Sequence, residues 1–514
     1  MSASTALKNT LTGEQTFSQF LFHNRWNRII LYLAATAIII QFVVFKYLYP
    51  FANYIHEDSF QYLIAADQNL TINTYPIGYS KFLRMVSVFA KPDIVLVSLQ
   101  YLLIQCSALY LLFTLFYFYK VGRAMQAVLF CFMIINPLSL HLGNLVSSDG
   151  LFLALSMTWF ALLLWIIYKP SNKIICYHAI VLFVAFTVRY NALIYPFIAL
   201  LAFGLSKLSL RKKISGMVLG LVLIGWFVGL SMLQYKKLTG YWLYSPFSGW
   251  QLANNAMYAY RKVDSADREP VPRKFRTLDK MTREIYDRHP NLQIGEASSY
   301  YMWAPWLPLM QYRHLLFIKD TSATDLKTWA SLGPFYNSYG LYIIKKYPLH
   351  FLRYFVWPNS LKYLTPHVEY LESYNWGQPT VKESAVKWFG YKNNQIKTNM
   401  KSGKVWILQY YPYLIGITNL IMLFGLLSYL LLKGWRFNPT FNKSILLAGF
   451  FWIAHAIFNI FVASAALRFQ AFPAFLSVIF SVLLIDWVSQ LMESLKLQHQ
   501  LQQPDSEYSQ NATV

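Results

Sequence analysis

Charge is scarce in this chain, and acid scarcest: 514 residues hold 22 Asp and Glu against 45 Lys and Arg, and only 13% are charged in all. So little charge beside 56% hydrophobic residues argues against a soluble fold. Three cysteines, Cys106, Cys131 and Cys176, all fall within apolar segments, which excludes a disulfide framework and leaves no metal-ligand spacing. No Gly-rich phosphate loop or nucleotide motif occurs, so a soluble nucleotide donor is unsupported. No repeat of fixed period is evident. Residues 1–28 lack a cleavable signal pattern, and the first apolar helix is expected to remain as an anchor.

What the chain does have is long apolar runs. A span needs roughly 20 apolar residues at about 1.5 Å each to cross the hydrocarbon, and several stretches qualify. The net charge of +23 would suit nucleic acid, but Lys and Arg gather in short loops between apolar runs. That is the positive-inside pattern, and no nucleic-acid partner is expected.

The expected class is an α-helical multi-span membrane protein of about ten transmembrane helices with a mixed external domain. The organisation reads as a cytoplasmic N-terminus (1–28), a transmembrane domain (29–233) with an acidic external loop (50–93), an external domain (234–410), C-terminal transmembrane helices (411–488) and a disordered cytoplasmic tail (489–514). Spans are expected at 29–49, 94–119, 124–140, 151–168, 174–187, 192–206, 214–233, 411–432, 444–463 and 472–488. The pair within 174–206 is short and reads as two spans or as a re-entrant pair. Residues from Gly78 to Phe89 read as an amphipathic helix suited to the interface.

Ionisable residues at a membrane edge are costly and are functional candidates by default. Glu57, Asp58, Asp149, Arg189 and Arg468 meet that test, and the expected topology puts all of them at one external end. Each also has a plain reading. Asp149 follows Ser147-Ser148 as a first-turn acid, Asp58 does the same for its helix, and both arginines could be helix-end cations whose heads reach water. Tyr62 lies one turn beyond Asp58. His56, Glu57 and His141 leave a divalent metal open, although no spacing demands one and no cofactor is certain. His455 and Asn459, four apart, read as interhelical hydrogen-bonding residues.

In order, these residues resemble a known family, the multi-spanning GT-C glycosyltransferases that use lipid-linked sugars. Asp58-Ser59-Phe60-Gln61-Tyr62 and Tyr75-Pro76-Ile77-Gly78-Tyr79 are similar to its first external loop, and Asn136-Pro137 through Ser148-Asp149-Gly150 to its second. Val188-Arg189-Tyr190-Asn191, Gly249-Trp250-Gln251-Leu252-Ala253-Asn254-Asn255 and Leu467-Arg468-Phe469 through Pro473 resemble later elements, with Phe for the usual Tyr after Arg468. The acidic pair is Glu57-Asp58 where the family often leads with Asp, which leaves open which acid is the base.

The resemblance implies transfer of a sugar from a polyprenyl-phosphate donor to an acceptor, usually with inversion, in a membrane lipid environment. Catalysis would rest on Asp58, Glu57 and Asp149, and donor phosphate on Arg468 and Arg189. Substrate contacts are expected from Tyr62, Tyr75, Lys81, Arg84, His141 and Asn255. A bacterial inner membrane with a periplasmic site is the expected setting. A lipid transporter or flippase, or a lipid-diphosphate-dependent polysaccharide polymerase or ligase, are the competing readings.

Overall fold

The computed structural model describes residues 15–289, 294–295 and 298–502, and among these the fold is helical, with isolated bridges and no sheet. The first half of the chain runs through α1 (Phe17–His23), α2 (Arg25–Leu48), α3 (His56–Asp67), α4 (Gly78–Phe89), α5 (Asp93–Phe118), α6 (Arg123–Ile134), α7 (Pro137–Gly143), α8 (Ser148–Tyr168), α9 (Asn172–Val188), α10 (Tyr195–Leu205) and α11 (Leu210–Thr239). Between them and the last helices come α12 (Pro246–Tyr260), α13 (Arg276–Arg288), α14 (Tyr300–Trp303), α15 (Pro308–Phe317), α16 (Asp325–Lys346), α17 (Pro348–Phe351), α18 (Trp357–Leu364) and α19 (Glu383–Phe389). The chain closes with α20 (Tyr411–Leu431), α21 (Pro439–Val462) and α22 (Ala471–Gln502).

Among the described residues, eight helices are long and apolar enough to cross a membrane: α2, α5, α6 with α7, α8, α11, α20, α21 and α22. The chain is therefore an α-helical multi-pass membrane protein. Two further apolar helices in 172–205 are shorter. They are separated at Arg189, whose backbone is extended, and by a 3-10 turn at Tyr190–Ile194 that leads into Pro196. The expected span at 124–140 is two helices. Asn136 makes the break: its side chain accepts from the Leu138 N–H at 3.0 Å and donates to the Phe132 carbonyl at 2.9 Å, while Pro137 opens the new helix at no cost in donors.

α8 and the membrane part of α22 are mostly enclosed, whereas α2 and α11 leave most of their apolar surface outside. Exposed apolar side chains such as Ile39, Val43, Val222 and Trp226 suit a face turned to lipid. Basic connections meet at one pole. Lys443 donates to the Leu205 carbonyl at 2.9 Å, Gln490 to the Lys120 carbonyl at 3.0 Å, and Tyr168 to the Thr440 carbonyl at 2.6 Å. These bonds gather Lys120, Arg123, Lys169, Lys207, Lys213 and Lys433 on the side away from α3 and α4. α22 continues past Val488 through Ser489 to Gln502, where a disordered tail was expected; Gln490 bonds Asp486 at 2.7 Å one turn back, and Leu491 packs on the core. Residues 503–514 lie outside the described residues.

The segment 234–410, expected to be one domain, packs in two parts. Its first part builds a separate core from α12 to α17, centred on Trp250, Tyr336 and Tyr339. There α12 and α16 cross so closely that a Cβ at Gly249 would collide with the Gly333 carbonyl. The second part, residues 368–408, instead joins the bundle core. Buried Asp93 explains the difference: it accepts from the Ala52 N–H at 2.6 Å and from Tyr391 OH at 2.8 Å, and a carboxylate that deep needs such donors. Tyr374 donates to the Phe51 carbonyl at 2.8 Å and the Asn375 N–H to Asn53 at 2.7 Å, tying the same segment down.

α18 is pinned by Asn359. Its amide donates to the Asn459, Ile460 and Ala463 carbonyls at 3.1, 2.9 and 2.6 Å, and its oxygen accepts from the Ala465 N–H at 2.8 Å. The carbonyls at the end of α21 thereby gain partners they would otherwise lack. Asn359→Ala is expected to cost about 1–3 kcal/mol, read as a lower unfolding midpoint in detergent. An unchanged midpoint would contradict this role.

Candidate functional site

At the pole opposite the basic connections, four charged side chains meet in a line. α3 carries Glu57 and Asp58 in its first turn, where the helix dipole favours acids. α8 carries Asp149 in its first turn, held by Ser147 Oγ at 2.6 Å. Arg189 stands just past the end of α9, and Arg468 in the 3-10 turn Leu467–Gln470 before α22.

Arg468 joins the acids: one guanidinium nitrogen reaches Asp58 Oδ2 at 3.0 Å and the other Asp149 Oδ2 at 3.4 Å. Arg189 ion-pairs with Asp149 Oδ1 and donates to Ser148 Oγ at 3.2 Å. Tyr75 OH donates to Asp58 Oδ1 at 2.6 Å, completing the run Tyr75, Asp58, Arg468, Asp149, Arg189. Two acids and two guanidinium groups cancel, as burial at this depth requires.

Exposure separates the two acids. The Asp149 side chain is fully buried, whereas Asp58 is 21% exposed. Asp58 opens on a cavity of about 1010 Å³ that is also lined by Glu57, Arg189, Arg468, Tyr62 and Tyr75. Arg468 is further enclosed by the Phe469 and Tyr370 rings at 4.4 and 4.8 Å, and its Nε–H has no hydrogen-bond partner among the described residues. Burial first, then the Asp58 charge and hydrogen bond, hold the Tyr75 phenol well above its ordinary pKa, so it remains a donor. Burial does the same for Tyr62, whose OH lies 3.1 Å from Ser148 Oγ.

Glu57 is placed differently from Asp58. It lines the cavity but pairs with Lys382 of the 368–408 segment, away from both arginines. The start of α4 presses on the end of α9, where a Cβ at Gly78 would sit 2.6 Å from the Thr187 carbonyl oxygen. That contact joins the chain three residues after Tyr75 to the chain two residues before Arg189.

Four expected substrate contacts do not line this cavity. Lys81 bonds Asn69 Oδ1 at 2.8 Å on the surface, and Arg84 donates to the Ala66 carbonyl at 3.1 Å, because both cations serve the open carbonyl end of α3. His141 is buried edge-on between Phe45 and Tyr49 at 5.0 and 5.4 Å. Asn255 is buried behind the wall, donating to the Val462 carbonyl at 3.1 Å and accepting from Gln251 at 2.7 Å. It orients Gln251, which does line the cavity. His141 does not line the cavity that His56 and Glu57 line, and no group of three or more His, Cys, Asp or Glu among the described residues could hold a metal ion. His455 and Asn459 do bond each other, with Tyr363 OH 3.2 Å from the imidazole.

Other residues of the site went unread in the sequence. Glu369, Tyr370 and Trp376 come from the 368–408 segment, and Phe247, Trp303 and Trp306 from the α12–α16 part. Tyr370, Asn375 and Trp376 have φ of 69°, 47° and 52°, a left-handed backbone that bulky residues rarely adopt. Strain of this kind gathers at ligand sites. The aromatic density of 300–306 was the signal for the second group. No protein-family model, curated protein or solved structure matches the chain.

The line of charges yields a coupling test. Arg189→Met leaves Asp149 with Arg468 alone and is expected to cost about 3 kcal/mol. Adding Asp149→Asn to the same chain should recover part of that loss in detergent unfolding. Strictly additive costs would show that the two side chains are independent.

Proposed function

We propose that this chain is a glycosyltransferase of GT-C type, moving a sugar from a polyprenyl-phosphate donor to an acceptor hydroxyl in the Asp58 cavity. The observation that carries the reading is Asp58 on the cavity wall in direct contact with Arg468. A carboxylate and a guanidinium group side by side on one cavity wall support a proton acceptor working next to a phosphate-binding group.

In the reaction, the acceptor hydroxyl loses its proton to Asp58 while its oxygen bonds the anomeric carbon. The bond from that carbon to the phosphate oxygen breaks, its electron pair leaves with polyprenyl phosphate, and Arg468 and Arg189 take the anionic charge. Attack from the face opposite the leaving group inverts the anomeric centre. A phosphate on Arg468 competes with Asp58 for the same guanidinium, so donor binding frees Asp58 Oδ2 for the acceptor. Asp149, with no exposed side chain, acts by holding both arginines in place. Of the two adjacent acids, Asp58 is therefore the base, and Glu57 anchors the 368–408 segment through Lys382.

The orientation follows from charge. If α9 and α10 each cross, the chain makes ten passes, all the basic connections share the cytoplasmic side, and the cavity faces outward. In a bacterial inner membrane that side is the periplasm.

The reading is tested with labelled polyprenyl-phosphate sugars and purified protein in proteoliposomes. Asp58→Asn is expected to lower transfer by about 10²–10⁴-fold, and Glu57→Gln to retain most of it. Unchanged turnover in Asp58→Asn would sink the assignment.

A further inference from the structure

The cavity is chemically divided. Its charged residues, Glu57, Asp58, Arg189, Glu369 and Arg468, come from the bundle end and the 368–408 segment. Among the described residues, the wall contributed by 242–337 is uncharged. This stretch is not poor in charge: Arg261, Arg268, Arg283, Arg313 and Asp325 all belong to it, and none of them faces the cavity. What faces the cavity is aromatic rings, hydroxyls and amides. Phe247, Trp303 and Trp306 stand beside Gln251, Ser298 and Asn337.

The rings continue from the acid. Tyr75, whose OH touches Asp58, lies 5.9 Å from Phe247, and Phe247 lies 6.3 Å from Trp303. An aromatic wall thus starts at Asp58 and leads into the neutral arm, with neutral donors and acceptors alongside it. A charged peptide would find no counter-charge among the described residues of this wall, and a plain hydrocarbon would cover the Asn337 amide without offering it a hydrogen bond. A sugar ring has apolar C–H faces for the aromatic rings and hydroxyls for the amides. At about 1010 Å³ the cavity stands at the top of the ~300–1,000 Å³ range of ligand pockets, with room for more than one ring.

We infer that this neutral arm binds an uncharged saccharide acceptor, stacked along Phe247 and Trp303 with one hydroxyl directed toward Asp58. The inference rests on the transferase reading for the role of Asp58. The saccharide is either a free glycan or the head of a glycolipid.

The test is saturation-transfer NMR on the full chain in nanodiscs, with no donor present. The probes are the methyl glycosides of glucose, galactose, mannose and N-acetylglucosamine, a lysine-rich peptide, and farnesol. At least one glycoside is expected to bind through its ring protons. Its affinity should fall about tenfold in Trp303→Leu and be kept in Trp303→Phe. Because Trp303 also packs on Trp329, Asn337→Leu at an exposed position serves as a second variant and is expected to weaken the same signal.

A hexadecyl glycoside of the bound sugar distinguishes the two sources. Much tighter binding than the methyl form points to a glycolipid, equal binding to a free glycan, and either supports the inference. Absence of glycoside binding, indifference to both Trp303→Leu and Asn337→Leu, or displacement by farnesol or the peptide would each overturn it. Since binding is read without donor, these outcomes are independent of whether Asp58→Asn abolishes transfer.

Discussion

Arg468 is the group on which the site depends. It is buried, it touches Asp58 and Asp149 together, and it lies between helices far apart in sequence, the start of α3 and the turn before α22. Burying one charge of this kind alone is prohibitive, and burying a balanced set of four is tolerable only with exact partners. Asp149 has no exposure and so needs both arginines; Asp58 keeps some and so retains access to the cavity. One electrostatic requirement thus fixes where α3, α8, α9 and α22 meet, and it also decides which of Asp58 and Asp149 opens on the cavity.

The rest of the pole can be understood as support for that line. Gly78 lets α4 approach α9 close to where Tyr75 meets Asp58 and Arg189 meets Asp149. Asn359 closes the end of α21 just before the Arg468 turn. The 368–408 segment, anchored on buried Asp93 and on Glu57, holds Tyr370 against Arg468 and Trp376 over His56, each in a strained backbone conformation. Strain at these aromatic positions is sustained because several anchors over-determine the segment.

Much of this was legible from the chain alone. Long apolar runs and basic loops gave the helices and the two poles, since period and charge placement are local properties. Asp58, Asp149, Arg189 and Arg468 were readable because a charge beside an apolar run has few inexpensive places to go. Lys81, Arg84 and His141 lie off this cavity, and proximity in sequence to the charged loops could not show that the first two bond the end of α3 and that the imidazole packs on Phe45 and Tyr49. The different surroundings of Glu57 and Asp58 were invisible, because they are set by Lys382 and Arg468, each more than 300 residues away. The aromatic wall likewise depends on tertiary contacts between α12, α14 and the bundle. Composition pointed to disorder from Ser489, yet α22 runs on to Gln502, with Leu491 packed on the core.

The central claim is that Arg468 exchanges Asp58 for a lipid phosphate. It is tested most directly by determining the structure of the protein in nanodiscs with polyprenyl phosphate bound. The account predicts phosphate oxygens within hydrogen-bond distance of the Arg468 and Arg189 guanidinium groups, with the Arg468–Asp58 contact opened and Arg189–Asp149 retained. A phosphate bound elsewhere, with the Arg468–Asp58 pair intact, would contradict it.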